Sequence, residues 1–179
     1  MQITKITDNF YQLEDVFSDT TLQILTRQFQ YTDNFSKLPQ GDYDRLELGL
    51  DHSNFKHLDM IDSELRIAKF NIEQLFGVAV YANNLQLWQD PDGYCNELHV
   101  DRSQNLSANV QIYLSDADSS MGTSVIENGT VYTVPYKYNC GYLLTRPTQF
   151  QHGMLNAVSG IRRSLYQSYR TTPEAVNDW

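Results

Sequence analysis

Apolar residues recur with helical spacing in two segments of the first half of the chain. The segments 18–29 and 58–77 each place their apolar side chains on one face of a helix, three or four residues apart. Gly77 follows the second stripe and is typical of a helix end. The apolar positions are Leu22, Leu25 and Phe29 in the first helix, and Ile61, Leu65, Ala68, Ile72 and Leu75 in the second. We therefore predict two amphipathic helices in the region 1–80.

A period of two residues replaces the helical spacing after position 80. Short alternating runs are separated by turn sequences such as PDG (91–93), NG (128–129) and NCG (139–141). The predicted strands are 84–89, 97–101, 107–115, 123–128, 130–135, 141–146, 149–155 and 162–170. Helices followed by many short strands predict an α+β, mainly β protein, in which a sandwich or barrel carries the helices on one sheet.

One alternating run between the helices, 42–53 (DYDRLELGLDHS), predicts a short edge strand. The length of 179 residues fits a single domain, 1–179. Within it we expect a helical support region at 1–80, a β core at 81–170 and a C-terminal tail at 171–179.

The strand 107–115 (SANVQIYLS) carries the clearest alternation in the chain. Ala108, Val110, Ile112 and Leu114 point one way, whereas Asn109, Gln111 and Tyr113 point the other. Two interpretations remain open. The polar face is either exposed to solvent, as in many antiparallel sheets, or it lines a cavity inside a small barrel.

Composition narrows the classes of function. The chain has 13 Lys+Arg against 22 Asp+Glu, a net charge of −9, which disfavours binding to the phosphate backbone of nucleic acids. No apolar stretch reaches the roughly 18–20 residues of a membrane span, and the first residues do not resemble a signal peptide. The two cysteines, Cys95 and Cys140, are too few for a disulfide framework. We therefore expect a cytoplasmic protein that binds neither nucleic acid nor membranes; its oligomeric state stays open.

The sequence NELHVDRSQNL (96–106) raises the question of chemistry. On a strand, His99 and Asp101 would share one face, and His152 lies on a later predicted strand. Two imidazoles and one carboxylate form the facial triad of non-haem Fe(II) oxygenases. The H-x-D spacing alone is a weak signal because aspartate is common. His52 and His57 lie in the helical half, where we expect them at the surface.

The segment that follows His152 adds a second motif. Arg162 and Ser164 lie ten and twelve residues beyond it and form an R-x-S pair at the start of the last strand. Alternation places Arg162, Ser164 and Tyr166 on one face. Arg163 then lies on the outer face, where we expect it to pair with an acidic residue of the helical half.

Together these motifs resemble those of the Fe(II)- and 2-oxoglutarate-dependent oxygenases, in the prolyl-hydroxylase-like branch. H-x-D, a distal histidine and a basic residue about ten positions later are the family's signature, and the likeness extends over residues 84–170. The segments 113–129 and 134–144 also resemble family sequences. The resemblance implies a double-stranded β-helix (jelly roll) with N-terminal helices packed on the major sheet.

The same resemblance implies a set of site residues. Fe(II) would be held by His99, Asp101 and His152. The cosubstrate 2-oxoglutarate would be bound by Arg162, Ser164 and Tyr113, with Asn109 a candidate for its near carboxylate. A guanidinium suits this role because it can make two parallel hydrogen bonds to a carboxylate.

The implied reaction consumes O2 and 2-oxoglutarate, with ascorbate as a reductant. It yields succinate and CO2 while an unactivated C–H bond is hydroxylated. The substrate would be a small molecule or an amino-acid residue of a peptide. Arg102 and Arg146 are candidates for binding a carboxylate on the substrate, against the alternative of ordinary surface salt bridges.

Two other functions remain open. The chain could be a catalytically silent, cupin-like module that binds a small acid, because jelly rolls host many functions. It could also be a zinc hydrolase with the same three ligands, although the R-x-S motif has no role there. Near the motifs, Trp88 and Gln86 share a parity and either line the cavity or, as we expect, pack in the core. Tyr94 lies either on a loop over the metal or, as we expect, in a surface turn, and Cys95 is expected to face away from the metal.

Overall fold

The computed structural model describes residues 1–40, 43–102, 106–116 and 118–172. Most of the predicted tail therefore lies outside the described residues, as do positions 103–105 beside the predicted site. Two α-helices are present in the described part, α1 (Asp19–Gln28) and α2 (Leu58–Phe76). The strands are β1 (Gln2–Lys5), β2 (Phe10–Glu14), β3 (Ser36–Gln40), β4 (Tyr43–Gly49), β5 (Tyr81–Asp90), β6 (Leu106–Tyr113), β7 (Thr123–Glu127), β8 (Thr130–Val134), β9 (Gly141–Thr145), β10 (Gln151–Gly153) and β11 (Arg162–Arg170).

The strands form two antiparallel sheets. An 8-stranded sheet has the order β1-β2-β9-β6-β11-β5-β4-β3, and a 3-stranded sheet has the order β10-β7-β8. The predicted fold class, an α+β jelly roll with helices on the major sheet, is confirmed. The first 80 residues are more than a helical support, because β1 to β4 extend both ends of the large sheet. The prediction of β4 as an edge strand is wrong, since β4 pairs with both β3 and β5.

The helices cover one face of the large sheet and bury the predicted stripes. Apolar side chains of α1 and α2 pack with the Ala108, Val110 and Ile112 face of β6 in one continuous core. Gly77 ends α2 in a left-handed conformation (φ 66°), as predicted. The prediction for Leu75 is wrong. Leu75 is 46% exposed, and its neighbour Phe76 packs partly against the core instead.

The opposite face of the large sheet meets the small sheet across a second core. Among the described residues, eleven are buried in this core, including Phe10, Tyr113, Val125 and Leu144. The polar face of β6 turns toward this side, and Asn109 and Gln111 are buried there rather than exposed to solvent. Of the two interpretations of the alternation in β6, the structure therefore bears out the cavity. In the described part of the chain, no helix is long and apolar enough to cross a membrane.

Candidate metal centre and cosubstrate cavity

A pair of backbone hydrogen bonds joins the two histidines of the H-x-D…H pattern. The amide of His99 donates to the carbonyl of His152 (2.9 Å), and the amide of His152 donates to the carbonyl of His99 (2.8 Å). The amide of Asp101 donates to the carbonyl of Pro147 (3.2 Å). The predicted strand at 97–101 is wrong, because the residues form a single isolated bridge rather than a ladder. The segment is nevertheless fixed at both ligand positions.

The three side chains converge on one point. Nε2 of His99 lies 3.3 Å from Oδ1 of Asp101, and Nε2 of His152 lies 3.6 Å from the same oxygen. The candidate ligand atoms of all three residues lie within 4.8 Å of one another. The sequence motif therefore corresponds to a real cluster, although no strand builds it.

The outer nitrogens of the two imidazoles fix their tautomers. Nδ1 of His99 lies 2.8 Å from the carbonyl oxygen of Glu97, and Nδ1 of His152 lies 3.1 Å from that of Phe150. A carbonyl only accepts hydrogen bonds, so each Nδ1 carries the proton and each Nε2 presents a lone pair to the cluster. Histidines that bind metals use this arrangement.

The two histidines differ in their electrostatic surroundings. Once Nε2 of His99 is protonated it can donate a hydrogen bond to Asp101, which raises the pKa of His99, and burial opposes that shift. Burial lowers the pKa of His152, and the charge of Asp101 opposes that shift. His152 is 5% exposed and is therefore held in the neutral form that binds a metal.

The donor set fits a first-row divalent metal. Two neutral imidazole nitrogens and one carboxylate oxygen on the same side of a point suit Fe(II), and they leave further coordination positions for small ligands. These residues also line a cavity that opens to solvent.

The same cavity is lined by Arg162, which is 2% exposed. Its Nη1 donates to Oδ2 of Asp90 (2.7 Å), and its Nε is buried without a hydrogen-bond partner. Unpaired buried donors are rare in folded proteins, and a guanidinium in the wall of a cavity can bind an anion there. Arg163 points to the other face of the sheet, as alternation predicts. Among the described residues it has no acidic partner; its Nε donates to Gln89 and its guanidinium lies over the ring of Phe29.

The other three predicted cosubstrate residues surround this cavity at different depths. Asn109 lines it, with Nδ2 3.5 Å from Oδ2 of Asp101 and Oδ1 buried without a partner. Ser164 is fully buried and accepts a hydrogen bond from Gln111, which lines the cavity. Tyr113 packs beside Arg162, and its hydroxyl donates to Oγ1 of Thr123 (3.1 Å). Ser164 and Tyr113 thus lie behind the residues that form the cavity wall.

Known proteins resemble this chain in structure, whereas no match was found by sequence. No family model matches the chain, and no curated protein sequence matches it significantly. Its structure is similar to a prolyl-4-hydroxylase from Pseudomonas putida, with a TM-score of 0.75 over 92% of this chain and 93% of that chain, at 14% identity. A Trichoplax adhaerens prolyl hydroxylase, solved with a hypoxia-inducible-factor peptide fragment, gives a TM-score of 0.75 over 92% and 84%, at 12% identity.

A third similar structure is HygX from Streptomyces hygroscopicus, solved with nickel, 2-oxoglutarate and hygromycin B. Its TM-score is 0.70 over 92% of this chain and 83% of that chain, at 10% identity. The chain has the jelly-roll fold of the 2-oxoglutarate-dependent oxygenases. At these identities the likeness concerns the fold, and the chemistry depends on the residues of the cavity.

Within this jelly-roll fold, the structure brings some of the remaining candidates to the cavity. Trp88 lines it and stacks on Tyr166 with ring centroids 4.3 Å apart, although the sequence predicted core packing. Gln86 instead donates to Glu47 (2.7 Å). Tyr94 is wrongly predicted as a surface turn, because it is fully buried and burial raises its pKa to about 12.

The two candidate substrate residues occupy different places. Arg102 is exposed and lines a second pocket that shares Asp101 and Tyr166 with the main cavity. Arg146 is exposed, and its guanidinium lies 5.9 Å from the centroid of the Phe76 ring at the end of α2. The structure therefore brings Arg102, and not Arg146, next to the metal centre.

The remaining sequence candidates lie away from the centre or beside it. His52 and His57 line a surface groove with α1 and lie apart from the other histidines, as predicted. The thiol of Cys95 lies 3.8 Å from the carbonyl oxygen of Met154, and Cys95 is not among the residues described as lining the main cavity.

The sequence patterns did not identify two charged residues of the site, Arg45 on β4 and Asp90 at the end of β5. Both are buried, and Arg45 lines the cavity. A signal for Asp90 was present, because Gln86, Trp88 and Asp90 share one parity on β5. Arg45 left no comparable signal, since its strand meets β5 only through long-range pairing.

Proposed function

We propose that this protein is an Fe(II)- and 2-oxoglutarate-dependent dioxygenase that hydroxylates an unactivated C–H bond. One observation carries the proposal. A complete His99, Asp101 and His152 cluster and a buried guanidinium with a free donor, Arg162, open on the same cavity. Metal ligands alone would suit several functions, but the added anion-binding group suits a metal-chelating carboxylic acid.

In this proposal the chain's own residues hold the metal and fix the tautomers of its histidine ligands. His99 and His152 present Nε2 because backbone carbonyls bind their Nδ1 protons, and Asp101 supplies the negative charge. Asn109 lies beside Asp101 and has a free amide oxygen toward this region. Bound iron would supply the activation of O2.

The cosubstrate would be oriented by the opposite wall of the cavity. Arg162 would bind the distal carboxylate of 2-oxoglutarate. Ser164 and Tyr113 would act from behind the cavity wall, Ser164 through its hydrogen bond with Gln111 and Tyr113 through its hydrogen bond with Thr123. The overall reaction is 2-oxoglutarate + O2 + R–H → succinate + CO2 + R–OH. One oxygen atom of O2 enters the succinate carboxylate and the other enters the new hydroxyl group.

The substrate is proposed as a small acid or an amino-acid residue of a peptide. The similar structures include one bound to a peptide fragment and one bound to the small molecule hygromycin B, so folds of this kind accept peptides and small molecules. Arg102 supports an anionic substrate because it lines the pocket that adjoins Asp101. Arg146 is the weaker candidate, since it packs near Phe76.

A substrate screen tests this assignment. Acidic compounds and peptides should stimulate succinate formation, and Arg102→Ala should weaken that stimulation while Arg146→Ala should not. Stimulation by neutral compounds alone, unchanged in Arg102→Ala, would remove the acid from the proposal.

The cellular setting forms part of the proposal. A cytoplasmic location is supported by two free thiols, Cys95 and Cys140, which a reducing compartment maintains. Ascorbate would keep the iron reduced in an assay, and its requirement can be measured by omitting it.

Aerobic turnover tests the function itself. Purified protein with Fe(II), ascorbate and 2-oxoglutarate should form succinate above the level of the His152→Ala variant, with or without a hydroxylated product. If the wild-type protein binds 2-oxoglutarate but forms no more succinate than His152→Ala, the cupin-like binding module becomes the better description. Hydrolysis of esters or amides with zinc, without 2-oxoglutarate, would favour the hydrolase instead.

A further inference from the structure

Arg45, Asp90 and Arg162 form a buried chain of charges in the cavity wall. Arg45 donates to both oxygens of Asp90, from Nε to Oδ1 at 2.6 Å and from Nη2 to Oδ2 at 3.2 Å. Arg162 donates to the shared Oδ2 at 2.7 Å. The side chains are 4%, 0% and 2% exposed, respectively. Water therefore screens these charges little.

The charges in this cluster do not cancel. Two guanidinium groups and one carboxylate leave one net positive charge, and Arg162 Nε has no acceptor. Buried charges are costly unless they are paired, so a folded site with this excess is suited to one bound monoanionic group.

Arg45 determines whether Asp90 compensates the positive charge of Arg162. If Arg162 and Asp90 were alone, they would form a neutral ion pair. A ligand carboxylate would then meet a guanidinium whose charge is already compensated, and the negative charge of Asp90 would repel it. Because Arg45 also binds Asp90 and compensates its charge, the cluster keeps one net positive charge, and Nε of Arg162 stays without an acceptor. Arg45 is itself held in place between the rings of Trp88 and Tyr94, at 4.0 and 4.8 Å from their centroids.

We propose that Arg45 is a positioning residue for the carboxylate of the cosubstrate, and that it acts through Asp90 by keeping Arg162 available to an anion. This inference rests on the proposed function in that the anion is taken to be 2-oxoglutarate. It adds to the cosubstrate site a residue of β4, a strand that lies outside the β core predicted at 81–170. It also makes a specific claim, that the net charge of the three residues sets the affinity.

The test is anaerobic calorimetric titration of 2-oxoglutarate into Mn(II)-loaded protein, so that binding is measured without turnover. Arg45→Met removes the charge and keeps an apolar stem between the two rings. It should weaken 2-oxoglutarate binding at least tenfold, while Mn(II) affinity stays within about twofold of wild type. Arg163→Met, on the opposite face of β11, is the matched control and should bind 2-oxoglutarate as wild type does.

A second substitution should restore binding. Arg45→Met combined with Asp90→Asn returns the net charge to one, carried by Arg162, and should bring the affinity back to within about threefold of wild type. Arg45→Lys keeps the charge without the two-point contact and should also stay within about threefold. A purely structural role for Arg45 would not give recovery in the double variant.

Several outcomes would overturn the inference. They are unchanged binding in Arg45→Met, or a folded double variant that binds as weakly as Arg45→Met. If Arg45→Met alone does not fold, weak 2-oxoglutarate binding by the folded double variant or by Arg45→Lys would also overturn the inference. Wild-type protein that binds no 2-oxoglutarate at all would instead contradict the proposed function, so the two failures are distinguishable.

Discussion

His99 and His152 exchange both of their backbone hydrogen bonds, although 53 positions separate them in the chain. The pair is an isolated bridge between a loop and the short strand β10. The two bonds place the ring centroids 4.6 Å apart. The geometry of the candidate metal centre therefore depends on the contact between two backbones as well as on three side chains.

Gly153 tests that backbone contact. A Cβ at this position would lie 2.6 Å from the carbonyl oxygens of both Asn96 and Glu97, which are backbone atoms that cannot swing aside. Gly153→Ala should therefore push β10 away from the loop and separate His152 from His99. We expect at least a tenfold loss of Mn(II) affinity, measured by calorimetry, because metal sites tolerate displacements of only about 0.5 Å.

Gly49→Ala is the control for this substitution. No atom lies within 4 Å of the Cβ that it would add, so its metal affinity should match that of wild type. Equal metal affinity in Gly153→Ala and wild type would mean that the histidine bridge does not set the ligand geometry.

His152 should differ from His52 and His57 in its effect on metal binding. His152→Ala leaves two protein ligands, and we expect more than about a 100-fold loss of Fe(II) affinity, beyond the 10- to 100-fold that removal of an outer-shell partner causes. His52→Ala and His57→Ala should keep wild-type affinity because they lie in a separate groove. Equal loss in all of these variants, accompanied by loss of the folded circular dichroism signal, would point to folding rather than ligation.

Asp101→Glu should be nearly as severe as the loss of a histidine. The added methylene moves the carboxylate by about 1.5 Å, whereas metal–ligand distances hold to about 0.2 Å. Fe(II) titration followed by succinate measurement should show weak binding and little turnover. Wild-type turnover in Asp101→Glu would exclude direct ligation by this residue.

Arg162 and Arg163 are adjacent residues of one type with opposite expected roles. Arg162→Ala should raise the KM for 2-oxoglutarate at least tenfold while Mn(II) still binds, because the loss of a buried charged partner costs about 2–5 kcal/mol. Arg163→Ala loses its contacts with Gln89 and Phe29 and should leave that KM near wild type. The reverse result would place the cosubstrate on the helix-covered face of the sheet.

Local patterns in the sequence were sufficient for the helices, most strands and the candidate ligands. The stripes of α1 and α2 depend on the 3.6-residue period, which is visible without knowledge of the fold. The alternation of β11 likewise assigned Arg162 and Arg163 to opposite faces. H-x-D, the distal histidine and R-x-S could be identified because family resemblance and spacing are properties of the chain itself.

Features that depend on long-range pairing could not be predicted in this way. Arg45 reaches the cavity only because β4 pairs with β5, and no short pattern encodes that register. The segment 97–101 has the alternation of a strand, but its partner offers a single bridge, so no ladder forms. Tyr94 follows a turn sequence, yet the stacking of Arg45 over its ring holds it in the interior.

The fate of the oxygen atoms bears most closely on the proposed chemistry. Wild-type protein should be incubated with Fe(II), ascorbate and 2-oxoglutarate under ¹⁸O2, and the succinate analysed by mass spectrometry. Oxidative decarboxylation at the His99, Asp101 and His152 centre requires one ¹⁸O atom in each succinate formed, and none of this labelled product from His152→Ala. Succinate without ¹⁸O, or no succinate beyond that of His152→Ala, would contradict the assignment of this cavity as a 2-oxoglutarate oxygenase site.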